Sequence, residues 1–261
     1  MSYFDLTGAD IAPTFGCRRD ARAKIGDMTV VLSGGIDTES AKPIASRLLR
    51  DLGQVLAGDD RLPRIGILAR GVESALVIAE LRAAFGDGNC ELIELDGVVA
   101  TEQLLPLDAL VVTDGDAAAS LAALEPVLAD LRGMVHRGTS FWGIGAGAAI
   151  AAELAIIDGF EIGGVAVAPR LSTDVASEVQ LATGLGLIDI TVLPGAAQLG
   201  RLGIGIAACE AGLLDRVIAL DAGMSLVIES GAIRLVGGTG SMWEIAADAN
   251  GIVTVGTRGA E

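Results

Sequence analysis

Thr139-Ser140-Phe141-Trp142-Gly143-Ile144-Gly145-Ala146-Gly147-Ala148-Ala149 runs from one apolar segment through a glycine-alanine turn into another. Short apolar runs bounded by turn residues read as buried strands, and longer small-residue runs as helices. The stretch therefore predicts a strand over 139–142 and a helix over 146–157, joined by the sharpest turn in the chain. Moving toward the N-terminus, a helix is expected over 117–136, strands over 109–113, 90–95 and 64–69, and a helix over 73–85. A first strand over 29–32 ends in Ser33-Gly34-Gly35, and a helix from about Glu39 places Ile44, Leu48, Leu52, Val55 and Leu56 on one face. Strands alternating with helices specify a parallel sheet.

Beyond Gly159 the pattern shortens. Apolar segments fall at 162–167, 188–193, 217–220, 226–229, 233–236 and 252–255, with one helix over 197–211. Mixed or antiparallel strands on one edge of the same sheet are expected, because no Pro/Ser-rich linker separates the halves. The fold class is α/β, a three-layer sandwich with a mainly parallel sheet. Residues 1–27, with Gly8, Pro13 and Gly16 among scattered charge, read as an irregular arm, and 28–261 as a single domain.

Composition narrows function. A formal charge of -16 with only 18 Lys and Arg in 261 residues excludes phosphate-backbone ligands, whose binding rests on basic side chains displacing counterions. No apolar stretch reaches the roughly 18 residues of a membrane span, and the opening MSYFDLTGAD carries acid where a leader peptide carries base. A cytoplasmic protein is expected. Cys17, Cys90 and Cys209 have neither CxxC spacing nor histidine neighbours, so no disulfide framework, metal site or cofactor is implied. Aromatics make up 3% of a chain that is 51% hydrophobic, so the core is built from small aliphatics, and self-association is expected to bury some of that surface.

A serine hydrolase of the elbow type carries its nucleophile on a tight strand-to-helix turn flanked by small residues, where backbone amides stabilise the oxyanion. Gly143-Ile144-Gly145-Ala146-Gly147 has that format, but the nucleophile position is Gly145, which has no side chain. Other candidates read as structural. His136 is the sole histidine and follows a helix whose C-terminal dipole it complements. Cys209 falls at an apolar helix position, without a second histidine to activate it. Ser140 lies in the strand, five residues before the elbow. The run Gly143-Ile144-Gly145-Ala146-Gly147-Ala148 also satisfies G-x-G-x-x-A, with Glu161 downstream as a ribose partner, so dinucleotide binding is an alternative. Gly34-Gly35 lacks the Lys-Ser/Thr of a phosphate loop.

The chain resembles the cyanophycinases and related S51-type peptidases, within the class I glutamine-amidotransferase-like fold. Ser33-Gly34-Gly35-Ile36-Asp37 is similar to the family's first glycine turn, RIGILARGVES (64–74) to its second strand, and Val112-Thr113-Asp114-Gly115-Asp116 to its T-G-G-D-Q turn. RGTSFWGIGAGAA (137–149) resembles the run leading to G-T-S-A-G-A-A. Gly184-Leu185-Gly186-Leu187-Ile188 and Gln198-Leu199-Gly200-Arg201-Leu202-Gly203 resemble the segments bracketing D-Q-H-F, and Gly238-Thr239-Gly240 the closing strand.

The resemblance implies a hydrolase scaffold without its chemistry. Gly145 stands at the nucleophile position, Ala117 in place of the glutamine, and Leu193-Pro194-Gly195-Ala196 on the D-Q-H-F stretch, with Gly195 in place of the histidine. The family's acid would fall near Asp158 or Glu161. What remains is a candidate cleft of Asp114, Gly115, Asp116, Gly143, Gly145 and Ala146, with Asp114 and Asp116 suited to a cationic group such as arginine. A binding or assembly subunit is expected, as a homo-oligomer or with an active relative, and with a peptide as a possible ligand. The enzyme alternative is a peptidase of β-aspartyl or arginine-containing peptides using another nucleophile.

Overall fold

A computed structural model describes residues 29–259 except Ser230 and Thr239. The expected arm over 1–27 lies outside the described residues, as does Thr239 of the closing glycine motif. The first half alternates strand and helix: β1 (Thr29–Ser33), α1 (Thr38–Val55), β2 (Arg64–Leu68), α2 (Ser74–Phe85), β3 (Glu91–Glu94), α3 (Thr101–Leu104) and β4 (Ala109–Val112). Then come α4 (Ala117–Leu124), α5 (Leu128–His136), β5 (Ser140–Ile144) and α6 (Ala146–Ala149). The second half holds β6 (Leu154–Asp158), β7 (Glu161–Ile162), β8 (Val165–Ala166), β9 (Gln180–Thr183), β10 (Thr191–Pro194), α7 (Leu202–Glu210), β11 (Arg216–Leu220), β12 (Met224–Glu229), β13 (Ala232–Gly237), β14 (Ser241–Ala247) and β15 (Val253–Gly259).

The main sheet has seven strands in the order β13-β12-β1-β5-β4-β2-β3. β1 to β5 run parallel, while β12 and β13 close one edge antiparallel. The fold is mixed α/β with a large, mostly parallel central sheet. One face packs on α1 and α2 through Ile44, Leu48, Leu52, Leu81 and Phe85. Trp142 of β5 meets Phe85 edge to face at 6.1 Å. The opposite face packs on α4 and α5 through Leu124, Leu131 and Val135. β1 and β5, buried along their whole length, are central strands covered on both sides.

Several expectations change. The helix over 117–136 is two helices with a three-ten turn at Glu125–Val127 between them, because Pro126 cannot continue an α-helix. The helix expected over 146–157 stops at Ala149. The carbonyls of Ile150, Ala152 and Ala151 accept N–H bonds from Leu185, Gly186 and Leu187, at 2.7, 3.1 and 2.9 Å, so residues 150–152 join a distant segment. The chain after them becomes β6, paired with β9. The segment over 162–167 is a hairpin of two-residue strands turning at Gly163-Gly164. The helix over 197–211 is confined to Leu202–Glu210, and Val55 points to solvent.

The late strands do not all join the main sheet. β12 and β13 do, but β10, β11, β14 and β15 form a second, four-stranded sheet in that order. Its inner face, through Val192, Ile218, Leu220 and Met242, shares the core under α4 and α5. Its outer face, through Leu193, Val217, Ala219 and Ile245, packs on α7. β9 (QLAT) and β14 (SMWEIAA) escape a reading by apolar runs because polar residues interrupt them and few of their side chains are fully buried.

Candidate functional site

Ligands of open parallel sheets bind beyond the carboxyl ends of the strands, and the sequence motifs converge there. β5 enters the elbow at Gly145, whose φ of 53° and ψ of -118° define a sharp strand-to-helix turn in a region that side chains disfavour. Gly145 donates its N–H to the Ser33 carbonyl at the end of β1 (2.9 Å), which fixes the elbow to the first glycine turn. The small residues are required by space. A Cβ on Gly143 would enter the Gly147 carbonyl, and one on Gly147 the carbonyl of Val112.

Asp114, just beyond β4, reaches into this turn. Its Oδ1 accepts from its neighbour Gly115 N–H and from Ala146 N–H, each at 2.9 Å. A Cβ on Gly145 would strike the Asp114 carboxyl carbon and oxygen. The carboxylate therefore fills the position a nucleophile would occupy and engages the first amide of α6. Asp116 is also committed, capping α4 through Ala119 N–H at 2.8 Å. Gly115 packs against the Arg70 carbonyl, a contact that admits no side chain. Of the two carboxylates expected to meet a cation, both serve first as backbone acceptors.

Gly195 follows β10 and faces the same β1 turn. A Cβ there would lie 3.4 Å from the Gly34 carbonyl oxygen and 3.0 Å from Leu199 Cδ1. Gly145 and Gly195, the positions that the resemblance aligns with a nucleophile and a histidine, thus flank Ser33-Gly34. The φ of Gly195 is 61°, in the left-handed region that favours glycine. The family's acid candidates are occupied elsewhere. Asp158 accepts from Gly159, Val175 and Ala176 N–H groups, and Glu161 takes part in the β7–β8 hairpin.

Asp221 was not singled out from the sequence, although an acid directly after the apolar run of β11 marks a strand end. Its carboxylate is buried and accepts from Ser241 N–H at 2.9 Å, Ala197 N–H at 3.2 Å and Trp243 Nε1–H at 3.2 Å. It ties the segment after Gly195 to the second sheet. Gln198 continues this tie, accepting from Ala222 N–H at 3.0 Å.

The remaining reactive groups are placed for structure. Ser33 Oγ is fully buried, accepts from Trp142 Nε1–H at 2.9 Å and bonds to Ser225 Oγ at 2.7 Å. Ser140 is buried at the start of β5, the end remote from the elbow. His136 ends α5 on that same remote side, about 16 Å of strand away. Burial pushes the Cys90 thiol up to about 11. Burial, followed by the charge of Asp215, also raises Cys209. Neither offers a thiolate nucleophile near neutral pH. Among the described residues, no group of three His, Cys, Asp or Glu side chains could hold a metal ion, and no helix is long and apolar enough to cross a membrane.

On the other side of the β1 turn there is space for a ligand. A groove of about 750 Å³ opens between the N-terminus of α1 and the β12–β13 hairpin, lined by Ile36, Asp37, Ser40, Ala222, Ser225 and Gly237 among others. Asp114 and Gly145 do not line it. No protein-family model matches the chain, and no curated protein matches it.

Proposed function

We propose that the protein is a non-hydrolytic cyanophycinase-like scaffold, of the class I glutamine-amidotransferase-like type, that acts as a binding or assembly subunit. One observation carries the reading: the Asp114 carboxylate occupies the space above Gly145 and takes the Ala146 amide. An elbow that hydrolyses acyl substrates needs an attacking side chain there and free donors for the oxyanion. Here the same place holds an acceptor with a negative charge, which opposes a developing oxyanion. Gly195 adds support, because it brings no imidazole to this turn and the sole histidine, His136, ends α5. A dinucleotide draws less support, since α6 has four residues and its first amide is taken. The groove beside the β1 turn is a surface that can take a ligand; of the acids on its rim, Asp37 caps α1 through Ser40 and Glu39 pairs with Lys42, so a peptide cation would share them.

The test is mass-spectrometric detection of β-aspartyl-arginine dipeptide cleavage by the native protein and by Gly145→Ser, beside a buffer blank. No cleavage above blank is expected from either, because a serine at 145 still lacks a base and displaces Asp114. Cleavage by the native protein would overturn the reading and return the search to the remaining hydroxyls.

A further inference from the structure

β15 is the outer strand of the second sheet and pairs only with β14 among the described residues. Its register with β14 is unbroken from Ala247↔Val253 to Ser241↔Gly259, and Thr254 to Gly259 are all exposed. An edge strand of this length is ordinarily blunted by charge, proline or a bulge, because its free backbone groups recruit another strand. The edge at β3 is guarded in this way by Glu91 and Glu94. Along β15 there is no acid, no proline and no bulge, and Arg258 is its one charge.

The register also determines which groups are free. The closing turn bonds Asp248 N–H to the Ile252 carbonyl at 3.0 Å. Antiparallel pairs alternate between bonded and non-bonded, so Thr254, Gly256 and Arg258 direct their amides toward β14. Val253, Val255, Thr257 and Gly259 direct N–H and C=O to the open edge.

We propose that this edge docks β15 of a second copy of the chain, antiparallel about a two-fold axis through Gly256, so that the two small sheets become one. The strand is self-complementary about that axis. Val255 meets the second copy's Thr257, Val253 its Gly259, and all of these belong to the outward-bonding set. No like charges oppose, since each Arg258 falls opposite a Thr254. The second copy's Arg258 shares the face that carries Glu244 but falls in the row of Thr254 and Ala246, one register step from the Glu244–Arg216 pair. On the other face Val255, 47% exposed, extends the apolar row formed by Trp243 and Ile245 to its counterpart. The assembly is independent of any chemistry at the elbow.

Sedimentation velocity of the full chain, with Thr257→Pro and Val255→Lys beside it, tests the edge. Position 257 gives its N–H to the edge and none to β14, so proline there spares the hairpin. The native chain is expected at twice its mass of 26.4 kDa, with self-association weakened about a hundredfold or more in both variants and their thermal midpoints equal to that of the native chain diluted until it is single. Gly256→Cys reads the axis directly. A Cβ there meets nothing within 4 Å in the single chain, and two cysteines facing across a non-bonded pair can form a disulfide. Rapid disulfide-linked dimer from that variant supports the arrangement. A native chain that stays single at every concentration overturns it, as does a dimer that survives Val255→Lys.

Discussion

Gly145 and Asp114 compete for one volume, so the elbow should accept a serine only with rearrangement. Gly145→Ser introduces a Cβ at positive φ and against a carboxyl group, and a loss of about 2–4 kcal/mol in unfolding free energy is expected. Placing the same change in an Asp114→Gly background should recover more than half of that loss, as read from urea midpoints, because only the backbone strain remains. Equal losses in both backgrounds would show that Asp114 is not what closes the elbow. The tight turn at Gly145 was legible in the sequence. Its occupant was not, because local pattern carries no information about which distant side chain turns inward.

Asp108 shows how charge acts at this scale. Burial is the largest single influence and opposes its ionised form. The Arg61 guanidinium at 2.7 and 2.8 Å, the Arg64 N–H at 2.8 Å and the charges of both arginines together outweigh it and hold the carboxyl below its ordinary value. Stability from a lowered carboxyl is present above the unfolded value of about 3.9 and is lost as pH falls through the folded one. Asp108→Asn should therefore cost about 1–2 kcal/mol near neutrality, and the gap between native and variant urea midpoints should narrow below about pH 4. A gap that does not vary with pH would assign the effect to packing.

Among the elements, the parallel strands were legible to within a residue or two, because each is a short apolar run bounded by turn residues. Helix ends were less legible: the expected helix over 117–136 ran through Pro126, which breaks it. The stop after Ala149 is imposed from outside, by amides of the 184–188 segment, and no local propensity announces it. That segment belongs to a long excursion between β6 and β10, which is held down by a buried ion pair. Arg201, at the start of α7, places Nη1 3.0 Å from Asp174 Oδ1 and donates Nη2–H to the Gly159 carbonyl. Asp174→Ala would strand a buried guanidinium and should destabilise by about 3–5 kcal/mol. Replacing both with apolar residues, Arg201→Met with Asp174→Leu, should destabilise much less. Chemical unfolding of the three chains measures this; equal losses in the single and double variants would remove the pair's role as a latch.

At the scale of the whole molecule, the sequence predicted a mainly parallel sheet and antiparallel late strands, but not their division between two sheets. Alternation along a strand says which side is buried, not which neighbour it pairs with, and β11 and β12 look alike until their partners are known. Both sheets contribute to the core beneath α4 and α5, where Leu220 and Met242 of the small sheet meet the residues of the large one. Such a shared core favours joint unfolding.

That division gives the protein two built-in optical reporters. Its two tryptophans fall one in each sheet: Trp142 sealed at the centre of the large sheet, Trp243 half-covered in the small one, with its indole N–H on Asp221. Their emission should differ in colour, the sealed ring blue-shifted relative to the wetter one. A single melt followed at two wavelengths therefore follows each sheet separately.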